Sequence, residues 1–426
     1  MGEMSKFKIT GLKSLRGNIK VMGAKNLALK LIAASILARG KTRLTNVPDI
    51  LDIRKMIDLV AGLGAKVKFE NNILEIDTES INSSVLDRDL VRHFRGSIVL
   101  VGPLLSRFKE VTIAQPGGCL IGARPIDTHL NAFSQLGIRH RESGDNHHFS
   151  QGNDADKDVE VCLDKLSVTA TENILMAGVI GKRKISLRVA AVEPEIGELI
   201  DFLNQMGAKI TGRDTHFLEI EGVSELKSVS FNIIPDRIEA ATLAIIGILT
   251  KGEIVIEDII PSHLDIFFEK LREANANFEI IKKERGYGDL KIRRSTHLKA
   301  VNIDTRTYPG FPTDLQSPFA ILMTQADGVS RIFETLYEGR FNYLKEVASM
   351  GATVSIQSPH IFIISGPTPL FGKEIKSLDI RGGAAVLIAA LIANGTTVIE
   401  GIEMIDRGYE RIDERLNSLG ARIERL

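Results

Sequence analysis

The chain has 426 residues, of which 44% are hydrophobic and 25% are charged, as is ordinary for a globular protein of two or three domains. Its 54 acidic and 54 basic side chains balance, which excludes a general attraction to nucleic acid or to an anionic membrane surface. The two cysteines, Cys119 and Cys162, are too few for a disulfide framework, so we expect a reducing compartment.

The first residues, MGEMSKFKIT, have no apolar signal core and predict a strand. The longest apolar stretches, LALKLIAASILA and AAVLIAALIA, are too short to span a bilayer. We therefore expect a cytoplasmic protein that has no membrane partner and no nucleic-acid partner.

A short tag recurs along the chain at intervals of roughly 70 residues, which is typical of repeated structural units. Each copy closes an amphipathic helix and precedes a strand. The six copies are LGA at 63–65, LGI at 136–138, MGA at 206–208, ANA at 274–276, MGA at 350–352 and LGA at 419–421.

Three elements are predicted ahead of each tag: first an apolar helix, then a strand, then a one-sided helix that the tag closes. A pair of strands follows the tag. The apolar helices are predicted at 27–38, 98–105, 168–179, 239–249, 316–324 and 383–393. A helix that is apolar all round must be buried, whereas an amphipathic helix can face solvent. The unit therefore reads strand–helix–strand–helix–strand–strand. We predict an α/β protein of six such repeats, three per domain, with buried helices and outer sheets.

The segment 143–160, SGDNHHFSQGNDADKDVE, is polar and is predicted to be an exposed irregular excursion. His147 and His148 raise the question of a metal site. We favour a solvated loop, because the sequence shows no complementary histidine and carboxylate spacing around them. The expectation is that the protein holds no metal. Cys162, in the alternating stretch VEVCL, is expected in a half-buried strand.

The stretch PGGCLIGARP, at 116–125, predicts a loop, because proline and two glycines disfavour helix and strand interiors. Cys119 lies on this loop and Arg124 follows it. A cysteine near a guanidinium is placed for reactivity, although a small packed cysteine is the common alternative.

Charged residues gather where the predicted helices begin, and a helix N-terminus can hold an anion. Asp127 could equally be a helix cap, and capping is the default interpretation of Asp236 and Asp314. For Asp314, however, the neighbouring Thr313 could do the capping. The set suits a phosphorylated substrate pair and acid–base chemistry without a metal. Its members are Lys25, Asn26, Arg95, Arg124, Asp127, Asp236, Arg237, Asp314, Arg340, Asp379, Arg381 and Arg407.

The motifs GAKN, PGGCLIGARP, SVTATEN, EPEI, PDRIEA, FPTDLQ and IDRGYERI occur in this order. Together they resemble the UDP-N-acetylglucosamine enolpyruvyl transferase (1-carboxyvinyltransferase) family of the EPSP synthase superfamily. The resemblance implies a two-domain inside-out α/β barrel. Residues 25–234 would form the N-terminal domain with the cysteine loop, and 1–24 with 235–426 the C-terminal one.

The resemblance also implies the reaction and the residues that carry it. The enolpyruvyl group of phosphoenolpyruvate would pass to the 3-hydroxyl of UDP-N-acetylglucosamine, with release of phosphate, as the committed step of peptidoglycan synthesis. Cys119 would react with the antibiotic fosfomycin and would serve either proton donation or product release, two roles that stay open here. Asp314 would accept the sugar hydroxyl proton. We expect a monomer that needs no cofactor.

The binding residues that the resemblance implies fall into three groups. Phosphoenolpyruvate would contact Lys25, Asn26, Arg124 and Arg407. UDP-N-acetylglucosamine would contact Arg95, Arg124, Pro125, Ile126, Asp127, Thr128, Lys165, Leu166, Ser167, Val168, Asp314 and Leu336. Arg340, Asp379 and Arg381 would support the site.

Three alternatives remain open at this point. The chain departs from the family pattern at Lys30, where proline is usual, so a paralogue could act on a related nucleotide sugar. A shikimate-phosphate enolpyruvyl transferase would share the six repeats, although the cysteine loop argues against it. A repeat protein that binds sugar nucleotides without turnover is the third.

Overall fold

The computed structural model describes residues 5–117, 125–152 and 157–426. The predictions for Cys119 and Arg124 lie outside these residues. The helices of the described chain are α1 Lys25–Ala34, α2 Leu51–Gly62, α3 Arg88–Arg92, α4 Val101–Phe108, α5 Asp127–Gln135, α6 Val168–Gly178, α7 Pro194–Gln205, α8 Arg237–Leu249, α9 Asp265–Glu273, α10 Gln316–Met323, α11 Tyr343–Ser349, α12 Ile380–Ile392, α13 Glu403–Asp406 and α14 Ile412–Ser418. Short 3-10 segments occur at Ser35–Leu37, Arg95–Leu100, Pro261–Leu264, Glu284–Gly286 and Thr313–Leu315.

The strands run through the whole described chain. They are β1 Lys6–Thr10, β2 Arg16–Lys20, β3 Lys41–Thr45, β4 Lys66–Glu70, β5 Ile73–Asp77, β6 Glu110–Ala114, β7 Ile138–Ser143, β8 Asn146–Gln151, β9 Val159–Cys162, β10 Lys184–Arg188, β11 Lys209–Thr211, β12 Phe217–Glu221, β13 Ser230–Asn232, β14 Glu253–Ile259, β15 Phe278–Lys282, β16 Gly288–Ile292, β17 Ile303–Asp304, β18 Gly328–Phe333, β19 Thr353–Ser358, β20 Ile361–Gly366, β21 Glu374–Lys376, β22 Thr396–Glu400 and β23 Ile423–Arg425.

The described residues divide into two compact units. We call 23–117, 125–152 and 157–234 the N-terminal unit, and 5–22 with 235–426 the C-terminal unit. Strands β1 and β2 belong to the C-terminal unit: β1 lies between β22 and β23, and β2 runs parallel to β14. Strand β13 pairs with β3 and so completes the first sheet of the N-terminal unit.

The sheets of the described chain repeat one strand pattern. Five of them have four strands, with one parallel pair at an edge and two antiparallel neighbours beyond it. The sixth, β6-β8-β7, has three strands. There a single parallel bridge between Val85 and Thr112 stands where the other sheets have their edge strand. Each unit holds three of these sheets, as the six tags predict.

The apolar helices are buried because they have no polar face to present to water. In α8, 12 of 13 residues are buried, and in α12 the number is 11 of 13. Helices α8, α10 and α12 pack against one another in the C-terminal unit, while α4 packs against α6 in the N-terminal unit. By contrast, α9 buries only Phe267, Phe268 and Leu271. The predicted α/β class with buried helices and outer sheets is confirmed.

The prediction for segment 143–160 is wrong over most of its described length. Strands β7 and β8 form a hairpin, and both His147 and His148 lie in β8. His147 is buried, so it is not in a solvated loop. Cys162 does end a strand, β9, but it is exposed rather than half-buried.

Among the described residues, no helix is both long enough and apolar enough to cross a membrane.

Candidate functional site

In the C-terminal unit, three side chains meet where helices begin. Asp314 lies in the 3-10 turn before α10, Arg340 precedes α11, and Arg381 lies in the first turn of α12. Arg340 Nη2 is 2.6 Å from Asp314 Oδ1, and Arg381 Nη2 is 2.8 Å from Oδ2. Each carboxylate oxygen therefore has its own guanidinium. The side chain of Asp314 is 27% exposed, so a ligand can reach it, while the two arginine side chains are buried.

The electrostatics of this trio follow from its geometry. Burial raises the pKa of Asp314, but the charges and hydrogen bonds of Arg381 and Arg340 outweigh it and hold the pKa well below its usual range. Burial lowers the pKa of Arg340, yet Asp314 raises it overall. The carboxylate is therefore ionised at neutral pH, and in this arrangement it is a weak base.

Thr313 does not cap a helix, contrary to the prediction. Its hydroxyl donates to Glu334 Oε2 at 2.8 Å and accepts from Arg340 Nη1 at 2.6 Å. Glu334 is fully buried and also accepts from the hydroxyl of Thr305 and from the backbone N–H groups of Leu336 and Tyr337. Glu334 thus ties the turn that carries Asp314 to the segment that carries the exposed Leu336. Sequence reasoning did not find Glu334, because the hydroxyl groups of Thr305 and Thr313 that donate to it are 29 and 21 residues away.

The other predicted aspartates of this unit are helix caps. Asp379 accepts from the backbone N–H groups of Arg381 and Gly382, each at 2.9 Å, and so fixes the start of α12. Asp236 caps α8 in the same way. Asp379 therefore supports the trio by holding the backbone of Arg381 in place, and its carboxylate binds backbone N–H groups rather than a guanidinium.

The motif IDRGYERI places two further residues in this unit. Tyr409, in the motif IDRGYERI, lies with its hydroxyl 3.3 Å from Arg381 Nη1 and was not predicted as a site residue. Arg407 ends α13, is half-buried, and has Nη1 3.7 Å from Met404 Sδ. The structure brings Asp314, Arg340 and Arg381 together.

In the N-terminal unit, Lys25 begins α1 and reaches Asp52 at the start of α2, with Nζ 3.2 Å from Oδ2. Both side chains are buried, so Lys25 is not an ordinary surface lysine at a helix start. The residue before the helix, Ala24, offers no side-chain cap. Asn26 follows in the first turn and is half-buried. A helix start without a side-chain cap, next to a lysine, is suited to an anion.

Arg95 joins the two ends of the segment that contains the predicted cysteine loop. Its guanidinium donates to the carbonyl of Pro116 at 3.3 Å and to that of Pro125 at 3.5 Å. On the Pro116 side, Gly117 lies so close to α3 that a Cβ there would be 2.1 Å from the carbonyl oxygen of Arg92. Only glycine fits at that distance, so the stem of the segment is held tightly against α3.

The remaining predicted residues surround the starts of α5 and α6, two helices that pack together. Ile126 and Thr128 are buried, while Pro125, Asp127 and Lys165 are exposed and Leu166 and Val168 are half-buried. Ser167 caps α6, accepting from the N–H of Ala170 at 3.3 Å. Asp127 makes no side-chain cap bond in α5.

His129, in the first turn of α5, is buried beside these residues. Burial first, and then the positive charge of Arg95, lower the pKa of this imidazole to about 4. It is therefore neutral at physiological pH. It lies beside the predicted nucleotide-sugar residues without having been predicted as one of them.

The residues that could hold a metal lie in the β7–β8 hairpin of the N-terminal unit. Of the residues that the structure describes, His140, Glu142 and His147 are the group whose ligand atoms all lie within 4.8 Å of one another. Burial first, and then the neighbouring His140, lower the pKa of His147. The sequence argument that no complementary histidine and carboxylate surround His147 is therefore wrong, because cross-strand neighbours supply both.

Comparison with known proteins gives consistent matches over nearly the whole chain. The family model described as EPSP synthase (3-phosphoshikimate 1-carboxyvinyltransferase) matches residues 9–416. The chain is 44% identical to UDP-N-acetylglucosamine 1-carboxyvinyltransferase 2 of Carboxydothermus hydrogenoformans, over 99% of this chain and 100% of that protein. It is 40% identical to the UDP-N-acetylglucosamine 1-carboxyvinyltransferase of Helicobacter pylori, over 99% of each.

Solved structures give the same fold. The enolpyruvyl transferase NikO from Streptomyces tendae superimposes with a TM-score of 0.87 at 22% identity, over 99% of each chain. EPSP synthase from Acinetobacter baumannii superimposes with a TM-score of 0.74 at 18% identity, over 99% of this chain and 100% of that one. At these identities the likeness is evidence for the fold alone, and it agrees with the predicted fold class.

Proposed function

Since the chain belongs to the UDP-N-acetylglucosamine 1-carboxyvinyltransferase family, within the larger EPSP synthase family, we propose that it transfers the enolpyruvyl group of phosphoenolpyruvate to the 3-hydroxyl of UDP-N-acetylglucosamine and releases phosphate. The observation that carries the proposal is the 44% identity over 99% of the chain to a protein of that name. The reaction would serve peptidoglycan synthesis and, through it, cell shape and division. The enzyme would act in the cytoplasm, and the two units would be its two domains.

The proposed chemistry balances without a cofactor. The sugar hydroxyl loses its proton and its oxygen bonds to C2 of phosphoenolpyruvate, while C3 gains a proton. The bond from C2 to the phosphate oxygen then breaks, C3 loses a proton, and the enolpyruvyl ether and phosphate leave. Asp314 would accept the hydroxyl proton, and Cys119 would supply the proton to C3.

Asp314 suits this role on one condition. A carboxylate paired with two guanidinium groups is ionised but weakly basic. The phosphate and carboxylate of phosphoenolpyruvate are better partners for arginine than a single carboxylate is. Binding of that substrate would draw Arg340 or Arg381 away from Asp314, and its pKa would rise when a base is needed. Lys25, Asn26, Arg124 and Arg407 would bind phosphoenolpyruvate.

The nucleotide sugar would be held mainly by the N-terminal unit. Arg95 and the starts of α5 and α6 would contact it, and the buried Thr128 hydroxyl, which has no hydrogen-bond partner among the described residues, is a group that a ligand would satisfy. Leu336, whose backbone is held by Glu334, would also contact the nucleotide sugar.

The test is phosphate release from phosphoenolpyruvate with a panel of acceptors. We expect turnover with UDP-N-acetylglucosamine and none with shikimate 3-phosphate. Asp314→Asn should lower turnover on the order of 100- to 10,000-fold, as loss of a general base does, while nucleotide-sugar binding persists. Asp327→Asn, an exposed aspartate of the same unit, is the matched control. Turnover with shikimate 3-phosphate instead would assign the chain to the other branch of the family.

A second test addresses the cysteine. Peptide mapping after fosfomycin treatment should find the label on Cys119 and not on Cys162. Because Cys162 is exposed, its lack of label would reflect low reactivity rather than poor access. Equal labelling of both cysteines would contradict the role proposed for Cys119.

A further inference from the structure

Three potential metal ligands share one face of the β7–β8 hairpin. Glu142 lies directly across from His147 in the strand register, and His140 lies two residues before Glu142 on the same strand. Side chains two apart on a strand, and directly opposite across a pair, point to the same face. His140 Nε2 is 3.0 Å from His147 Nδ1, and Glu142 Oε1 is 3.6 Å from the same nitrogen. The three donor atoms form a triangle with no side above 4.8 Å.

Gln115 determines which nitrogen of His147 is available. Its side-chain carbonyl accepts a hydrogen bond from His147 Nε2, so that nitrogen carries the proton. The lone pair of His147 then lies on Nδ1, the nitrogen that faces His140 and Glu142. A metal-binding histidine in most sites donates its other N–H to an oxygen in this way, which fixes the ring and raises its basicity.

The packing around the cluster holds its histidines in place. The ring of His140 stacks on Phe149 at a centroid distance of 4.8 Å, and Phe149 in turn meets Phe133 edge to face. His147 is buried, whereas Glu142 is exposed. The imidazoles are therefore packed on an apolar base, and the exposed carboxylate can move toward them at little cost.

We infer that His140, Glu142 and His147 form a binding site for a divalent transition-metal ion of the Zn²⁺ class. Two imidazole nitrogens and one carboxylate oxygen are a donor set that Zn²⁺ takes in proteins, with a water as the fourth ligand. At Zn²⁺–ligand distances of about 2.0–2.2 Å, tetrahedral donors lie about 3.3 Å apart. The observed 3.0 and 3.6 Å bracket that value.

Binding requires one local rearrangement. The ring centroids of His140 and His147 are 5.2 Å apart and their planes differ by 19°, so the two nitrogens face each other almost in line. The proton that His140 Nε2 donates to His147 Nδ1 must move to His140 Nδ1, so that His140 stays neutral and its Nε2 gains a lone pair. The rings must also turn by about 35° each for their lone pairs to converge at a tetrahedral angle. Metal ions displace such protons because only deprotonated ligands coordinate. Glu142 supplies the third donor.

The site would act on the stem of the predicted cysteine segment. Gln115 is followed at once by Pro116 and Gly117, and its backbone N–H donates to the carbonyl of Asp145 in the β7–β8 turn at 2.8 Å. An ion on His147 would strengthen the His147–Gln115 bond and so fix the point where that segment leaves the sheet.

The test is isothermal titration of the full chain with Zn²⁺ in a Cys162→Ser background, which removes the exposed thiol. We expect a single tight site whose affinity falls about tenfold or more in Glu142→Gln and in His140→Ala. Gln115→Leu should weaken binding by about 10- to 100-fold, as loss of such an outer partner does. Glu142→Gln changes an exposed side chain, so it tests the site even if a histidine variant does not fold.

His148→Ala is the matched control. His148 lies next to His147 on the same strand but points to the other face, where Nδ1 contacts the hydroxyl of Thr112 at 2.9 Å. It should bind Zn²⁺ like its parent. Titration with Co²⁺ should give a visible spectrum without the charge-transfer band of thiolate ligands. Zn²⁺ binding that is unchanged in Glu142→Gln and His140→Ala, or a thiolate band with Co²⁺, would overturn the inference.

Discussion

Replacing Glu172 with glutamine is expected to stabilise the N-terminal unit at neutral pH and to leave it unchanged in acid. Glu172 lies in α6 and is fully buried. Lys30 of α1 pairs with it, with Nζ 3.1 Å from Oε2, and is itself buried. Burial raises the pKa of Glu172 to about 7, and the nearby Lys30 only partly offsets this.

The sign and the size of this stability difference follow from proton linkage. A carboxyl whose pKa is raised in the folded state contributes its full stabilisation at a pH below its unfolded-state pKa of 4.5. That stabilisation is lost as the pH rises to the folded-state pKa of about 7. The shift corresponds to about 3 kcal/mol of unfolding free energy. Glutamine stays neutral at every pH, so the variant keeps the unfolding free energy that the wild type loses when Glu172 ionises. For a unit of this size, 3 kcal/mol is roughly 6 to 12 °C in Tm.

The assay is urea unfolding of wild type and Glu172→Gln at a series of pH values between 4.5 and 8. The difference in unfolding free energy should be near zero at the acid end, grow through pH 6, and level off above pH 7. Glu225→Gln, an exposed glutamate of the same unit, should follow the wild type throughout. A difference between wild type and Glu172→Gln that stays constant with pH would refute the reasoning, because it would mean that Glu172 does not titrate in this range.

Three more outcomes are expected. Arg381→Gln removes one of the charges that lower the pKa of Asp314, so the acid limb of the pH–rate profile for kcat/KM should move to higher pH; an unmoved limb would mean that it reports another group. Glu334→Gln replaces one acceptor oxygen by an NH₂ group, although two hydroxyl groups and two backbone N–H groups donate to this side chain. A buried donor is then left without an acceptor, which should lower the unfolding free energy of the C-terminal unit by about 1–3 kcal/mol in urea unfolding. Gly117→Ala would place a Cβ 2.1 Å from a backbone carbonyl of α3, so the stem must shift and fosfomycin should label Cys119 more slowly; labelling at the wild-type rate would show that the stem does not position the cysteine.

The repeat architecture could be predicted from the sequence because its causes are local. A helix that lacks polar residues all round must be buried wherever it lies, and the tags that close the amphipathic helices recur at a fixed interval. The predicted apolar helix at 239–249 corresponds to α8, Arg237–Leu249, and Asp236 caps it through bonds that span only two or three residues. The motifs that carry the family resemblance are likewise short and contiguous.

Only the tertiary structure decided which charged groups meet. Asp314 is paired with Arg340, 26 residues away, and with Arg381, 67 residues away, and nothing in the spacing of the three predicts that both guanidinium groups would take the same carboxylate. The prediction for segment 143–160 was wrong for the same reason. Its polar residues predict a loop, but β7 pairs with β8, and the register of that pair places His140 and Glu142 beside His147. Local side-chain patterns determine which elements form, whereas strand register and helix packing determine the distances between charges, on which pKa values and chemistry depend.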